Sequence, residues 1–329
     1  MKIRLAALFL ILASGALFAT GTQESDDIVI GVSKFVAHPA LDAVERGIQD
    51  ELDALGYENI IYDFQNANAD VTTARQIASK FEADRVDVAV GIATPTAQAL
   101  TAALEDIPVV YTAITDPVSA GLVESLERGE PGIAGVSHRT PVQRQIEFMM
   151  GLRPISSLGH VYSSGEANAV FLAEQTERAT ENLGIDFVSQ TITNPAEVRQ
   201  ATQSIIGRVD AIYVSTDNQV VSALSALTDV AMQNDVPVLS ADPASAETNE
   251  VFVAWGFDWY RIGRITGELI HRILQGEDAA NMPTVLVDDP NQMNMILNLD
   301  VADDLGIELP QEVLDQADRV IEGGEIRTQ

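Results

Sequence analysis

Six short polar stretches, each directly after an apolar run, carry most of the chemistry open to this chain. They are Lys34-Phe35-Val36-Ala37-His38-Pro39, Ala93-Thr94-Pro95-Thr96, Thr115-Asp116-Pro117, Ser163-Ser164-Gly165-Glu166-Ala167-Asn168, Ser215-Thr216-Asp217-Asn218, and Asp242. In the second, Thr94 is placed to cap a helix with Pro95 at its first position, leaving backbone N–H groups free. Hydroxyls beside helix-start N–H groups, at Thr94 and Thr115, suit a carboxylate. Glu166, Asp217 and Asp242 suit an ammonium group. Both characters together fit a zwitterion, which points to an amino acid. Taken singly, Thr, Ser, Asp and Asn at helix starts are ordinary caps; six such loops at one edge carry the reading. Phe35 is placed either to stack on a ligand or to join the core. His38 is placed to donate to a ligand or to cap its own loop.

Other chemistries are excluded early. The 329 residues include no cysteine, which removes disulfides, thiol nucleophiles and Cys-ligated metals. His138, His160 and His271 are scattered without H-x-x-x-H spacing, so neither a metal nor a cofactor is expected. Fingerprints for a phosphate loop, a dinucleotide and a hydrolase nucleophile are all missing from the sequence. An enzyme using Asp and His on the same fold is the weaker alternative. The formal net charge of −30 argues against nucleic acid or an anionic membrane as the partner.

The loops need a scaffold that brings them to one edge. Short β-rich runs alternate with helical patterns: strands at 28–33, 60–64, 86–92 and 108–113, helices at 39–55, 71–83 and 95–104. The pattern restarts after a join near Gly135–Pro141, with strands at 159–162, 186–191, 211–214, 237–240 and 251–256. Helices are expected there at 169–183, 196–206 and 220–233. A long helix at 261–275 and strands near 285–288 and 293–299 follow. Such order implies an α/β protein with two doubly wound parallel-sheet lobes and a cleft between them. Ligands of such sheets sit beyond the carboxyl ends of the strands, where the six loops fall.

The front of the chain reads as an address. Lys2 and Arg4 precede an apolar run from Leu5 to Ala19, shorter than a membrane span and suited to a signal peptide of residues 1–21. With no cysteine after the run, a lipid anchor is chemically impossible, although a retained N-terminal anchor stays open. The expectation is a soluble protein exported to a periplasm.

Several stretches together resemble one family. They are Phe35-x-x-His38-Pro39-Ala40-Leu41-Asp42, Gly56-Tyr57-Glu58-Asn59, Gln65-Asn66-Ala67, Ile92-Ala93-Thr94-Pro95 and Ala113-Ile114-Thr115-Asp116-Pro117. Ser164-Gly165-Glu166-Ala167-Asn168, Thr216-Asp217-Asn218 and Gly256-Phe257-Asp258-Trp259-Tyr260 complete the set. The chain is similar over about residues 28–310 to substrate-binding proteins of ABC transporters of the tryptophan/tyrosine type, relatives of branched-chain amino-acid binders. The resemblance implies the type I periplasmic binding fold, with lobes of residues 28–137 plus 260–288 and 138–259 plus 289–320, closing by hinge motion. It also implies a monomer whose partners are an aromatic amino acid and a membrane permease; an exported sensory receptor is the alternative. By the same resemblance Thr94 and Thr115 would hold the carboxylate and Asp217 or Asp242 the ammonium. Glu166 and Asn168 would complete a polar ring, and Phe35 would touch the side chain. The remaining candidates are His38, Pro95, Asp116, Ser164, Thr216 and Asn218.

Trp255 and the acidity depart from the family pattern. The cations are sixteen arginines and three lysines (Lys2, Lys34, Lys80) against 49 carboxylates. That balance fits a surface hydrated in high salt, or a composition bias of the lineage. Salt adaptation predicts a melting temperature that rises from low to molar NaCl; a flat curve leaves composition bias.

Overall fold

The β-branched runs assemble into two separate sheets in the computed structural model, which describes residues 27–328. The expected signal peptide lies outside the described residues. The first sheet holds β1 (Ile28–Lys34), β2 (Ile60–Asn66), β3 (Val88–Ile92), β4 (Val109–Ile114), β5 (Ile133–His138) and β11 (Val285–Val287). Their order is β11-β5-β4-β3-β1-β2, and every pairing is parallel. Every residue of the central strands β3 and β4 is buried, as expected for a parallel sheet covered on both faces.

The second sheet holds β6 (Ser157–Ser163), β7 (Asp186–Ile192), β8 (Ala211–Val214), β9 (Val238–Ser240) and β10 (Val253–Phe257). It is completed by β12 (Met293–Asn298), β13 (Arg319–Glu322) and β14 (Glu325–Thr328). The order is β14-β13-β12-β10-β9-β8-β6-β7. Here β12 runs antiparallel to β10, and β13 and β14 form an antiparallel hairpin. The architecture is therefore two α/β lobes, parallel except at this margin.

Helices α1 (Pro39–Ala54), α2 (Val71–Asp84) and α3 (Thr94–Ala103) follow the strands of the first sheet. Helices α4 (Val142–Leu152), α5 (Ala167–Leu183), α6 (Val198–Ile205), α7 (Asn218–Ser222) and α8 (Leu224–Met232) serve the second. Helix α9 (Trp259–Leu274) returns to the first sheet, and the short α10 (Leu299–Asp304) and α11 (Gln311–Leu314) follow β12. The chain thus passes between the sheets three times: after β5, between β10 and α9, and between β11 and β12.

Beyond the antiparallel margin, further details differ from the sequence expectation. The stretch expected to be a join becomes strand β5, with only residues 139–141 between it and α4. Its Gly135 hides it in sequence yet is required, because a Cβ there would stand 2.1 Å from the Tyr111 carbonyl oxygen. The helix expected over 220–233 is two helices, broken at Ala223 (φ −122°, ψ 27°). Helix α3 begins at Thr94 itself, so its cap is Ala93, which offers no side-chain acceptor.

Helix α9 is fastened to the first sheet by a buried hydroxyl pair, Thr266 with Thr112 at 2.7 Å, and packs backbone to backbone on α1. A Cβ on Gly47 would lie 2.2 Å from the Tyr260 carbonyl oxygen, and one on Gly263 2.3 Å from that of Val44. Neither carbonyl moves without breaking its helix. Gly47→Ala and Gly263→Ala are each expected to cost about 1–3 kcal/mol in urea unfolding; an unchanged midpoint would mean the helices separate freely.

Candidate functional site

Loops from the carboxyl ends of both sheets face one another across a cavity of about 30 Å³. Its polar lining is His38, His138, Asn168, Thr216, Asn218 and Asp242. Its apolar lining includes Leu41, Ala93, Ala113, Val221 and Trp259. Five of the residues expected from sequence therefore line one cavity: His38, Asn168, Thr216, Asn218 and Asp242.

Asp242 is almost wholly withdrawn from water, at 2% exposure. A carboxylate so placed needs donors, and it has them. Trp259 Nε1 donates to Oδ1 at 2.7 Å, the Ala244 amide donates to Oδ1 at 3.1 Å, and the Ser245 hydroxyl donates to Oδ2 at 2.8 Å. Across the cleft, His38 Nε2 lies 3.6 Å from Oδ2. His38 Nδ1 accepts from the Ala40 amide at the start of α1, so in the neutral ring the proton sits on Nε2, facing Asp242. This contact joins the loop after β1 to the loop after β9, one from each lobe. About four acceptor directions exist on a carboxylate, so Asp242 keeps capacity for one more donor.

The other two acids serve the loops themselves. Asp217 accepts from the Ser163, Gln219 and Val220 amides, tying the end of β6 to the start of α7. Glu166 accepts from the Asn218 side chain and the Gln219 amide. Neither lines the cavity. Burial, and then the charge on Asp217, push the Glu166 carboxyl up to about 8. Asp217 is also raised by burial, with its three amide donors opposing the rise. The acid pair thus shapes the wall on which Asn168, Thr216 and Asn218 stand.

The remaining expected residues lie apart from the cavity. Phe35 is fully buried in the main core. Thr94 and Pro95 are buried in the first turn of α3, next to Ala93. Ser164 donates to the Ile192 carbonyl. Thr115 and Asp116 border a separate groove of about 840 Å³ beside α4 and α5, and Asp116 accepts from the Ser119 amide.

Two features of the wall were not foreseen. Ala93 (φ 79°, ψ 155°) and Ala113 (φ 56°) sit in backbone regions that favour glycine. Each costs about 1–3 kcal/mol, and such strain gathers at ligand sites. The second is His138, at the end of β5. It is buried, and neither ring nitrogen has a hydrogen-bond partner among the described residues. Burial lowers its pKa to about 4, so it is neutral at neutral pH. Its place beside a hinge crossing was the only sequence signal that could have singled it out. Among the described residues no group of three or more His, Asp or Glu could hold a metal.

A two-lobed α/β molecule with a polar cavity between its sheets is a solute-binding protein in architecture. Residues 29–321 match the family model for ABC transporter substrate binding proteins, and the chain belongs to that family. It is therefore an extracytoplasmic binding component of an importer, a non-catalytic class. A tyrosine-binding protein of Clostridioides difficile (strain R20291) is 34% identical over 264 residues, covering 79% of this chain and 76% of the relative. A Streptococcus pneumoniae ABC domain solved in complex with L-Trp is 32% identical with a TM-score of 0.85, covering 90% of this chain and 100% of that one. The ligand-free, open structure of a Clostridium difficile substrate-binding protein is 35% identical with a TM-score of 0.65, covering 86% and 96%.

The Glu166–Asp217 pair makes folding stability depend on pH. Native Glu166 keeps a proton that the unfolded chain loses at an ordinary carboxylate pKa, so stability falls as pH rises toward about 8. His138 and His160, lowered to about 4, act oppositely and only below their unfolded value. Thermal melts between about pH 7 and pH 8.5 should therefore fall for the wild type and flatten for Glu166→Gln; parallel curves would remove Glu166 as the source.

Proposed function

We propose that this protein captures an aromatic amino acid in the cleft, with Asp242 holding the ammonium group. The single observation behind the assignment is that Asp242 is the one carboxylate on the cavity wall among the described residues, already braced by three donors. Among the described residues Asn168 Oδ1 and Thr216 Oγ1 are buried without partners there, and they supply further acceptors for the ammonium hydrogens. Ala93, on the cavity wall, opens α3, whose first amides lack intrahelical partners and suit the ligand carboxylate. Trp259, Leu41 and Val221 supply apolar surface for a side chain.

The tyrosine-binding relative and the tryptophan complex favour an aromatic ligand. Both ligands carry a polar hydrogen on an aromatic ring. At near-equal identity the chain superposes better on the tryptophan complex than on the open, ligand-free relative, which favours a closed arrangement of lobes here. A cavity of 30 Å³ is far below the roughly 300 Å³ of small-molecule sites. The lobes, residues 28–137 plus 260–288 and 138–259 plus 289–320, therefore part to admit the ligand and reclose on it. The mature protein acts as a periplasmic monomer after loss of residues 1–21, delivering its ligand to the permease.

Calorimetric titration with L-tryptophan, L-tyrosine and L-phenylalanine tests the reading. Asp242→Ala is expected to weaken binding at least tenfold, the scale of a lost hydrogen bond to a charged group. Thr96→Ala is expected to change it less than threefold, because the Thr96 hydroxyl is spent on the Ile92 and Ala93 carbonyls. Equal small effects, or no binding of any of the three, would defeat it.

A further inference from the structure

We propose that His138 reads the ligand side chain, exchanging a hydrogen bond with the polar hydrogen of a tyrosine phenol or a tryptophan indole and so rejecting phenylalanine. The inference rests on the aromatic amino-acid reading above and adds the residue that selects within that class.

The argument starts from an unmet need. An imidazole is polar at two atoms, and burying either without a partner is costly. His138 is 1% exposed, and both Nδ1 and Nε2 lack partners among the described residues. His160 makes the contrast: equally buried, it donates Nδ1–H to the Tyr213 carbonyl at 2.8 Å, leaving Nε2 alone without a partner among the described residues, and it has no place on the cavity wall. His138 does line the cavity. The groups that could have satisfied it are instead aromatic edges and faces. Its ring centroid is 5.0 Å from that of Trp259 at 85° and 5.3 Å from that of Phe257 at 62°. Those contacts hold the ring in place while leaving its nitrogens to whatever enters the cavity.

Position supports the same role. His138 ends β5, and Trp259 begins α9, so both stand where the chain passes between lobes. Trp259 spends its indole N–H on Asp242. A ligand whose ammonium meets Asp242 therefore lies against Trp259, with His138 next to that ring. The neutral imidazole offers one donor and one acceptor. A phenol uses either, and an indole N–H uses the acceptor. Phenylalanine uses neither, and it would leave the imidazole buried and unpaired. Sites built to hydrogen-bond a substrate group discriminate strongly against analogues without it.

The experiment is calorimetric titration of the purified mature protein with L-tyrosine, L-tryptophan and L-phenylalanine, for wild type and His138→Leu. Expected is a wild-type preference of at least tenfold for tyrosine or tryptophan over phenylalanine. In His138→Leu that preference should collapse to within threefold, with tyrosine and tryptophan losing affinity and phenylalanine losing none. Wild type and variant should both be checked by thermal melt. Because the variant could disturb packing against Phe257 and Trp259, a second measurement uses the wild type alone. The His138 ring ¹⁵N resonances should move on adding tyrosine or tryptophan and stay in place with phenylalanine. Equal loss for all three ligands, no loss for any, or ring resonances indifferent to ligand identity would overturn the role of His138 while leaving Asp242 standing. No binding of any of the three by the wild type would overturn both.

Discussion

A carboxylate removed from water must be surrounded by donors, and around Asp242 that requirement organises the cleft. Its donors come from its own turn (Ala244, Ser245) and from the first residue of the returning helix (Trp259). His38 approaches from the opposite lobe. One group therefore touches the second sheet, a crossing and the first lobe together. A cation that binds there competes with His38, which reaches the carboxylate from across the cleft. Ligand entry and lobe contact are thus joined at a single carboxylate.

The acids nearby show why side-chain type alone misleads. Glu166, Asp217 and Asp242 look alike in sequence, each closing a strand and opening a helix or turn. Three dimensions separate them. Asp217 is consumed by three backbone amides, and Glu166 by the amide and side chain of the next loop. Their energy goes into holding two loops at fixed spacing, on which Asn168 and Thr216 are presented. Desolvation follows from tertiary burial, which local sequence does not encode.

The alternation of elements was legible because buried parallel strands are apolar on both faces and their helices carry a clear stripe. Strand β5 was not, since it holds Gly135, Ser137 and His138 and is specified by the space beside Tyr111. Of the cleft, the loops were readable from caps and polarity, which marked His38, Asn168, Thr216, Asn218 and Asp242. His138 was not, because a histidine ending a strand acquires meaning only when its nitrogens are found without partners. Phe35 shows the reverse case: a cleft-loop position in sequence and a core position in space.

The three passages between sheets carry a consequence for biogenesis. The first sheet needs α9 and β11, which arrive some 120 to 150 residues after β5, and the second needs β12 to β14 at the far end of the chain. Neither lobe can be completed as it leaves the ribosome; both wait for nearly the whole polypeptide. Contacts so distant in sequence make folding slow and late. For an extracytoplasmic protein, such delay leaves the polypeptide open for longer before its lobes close.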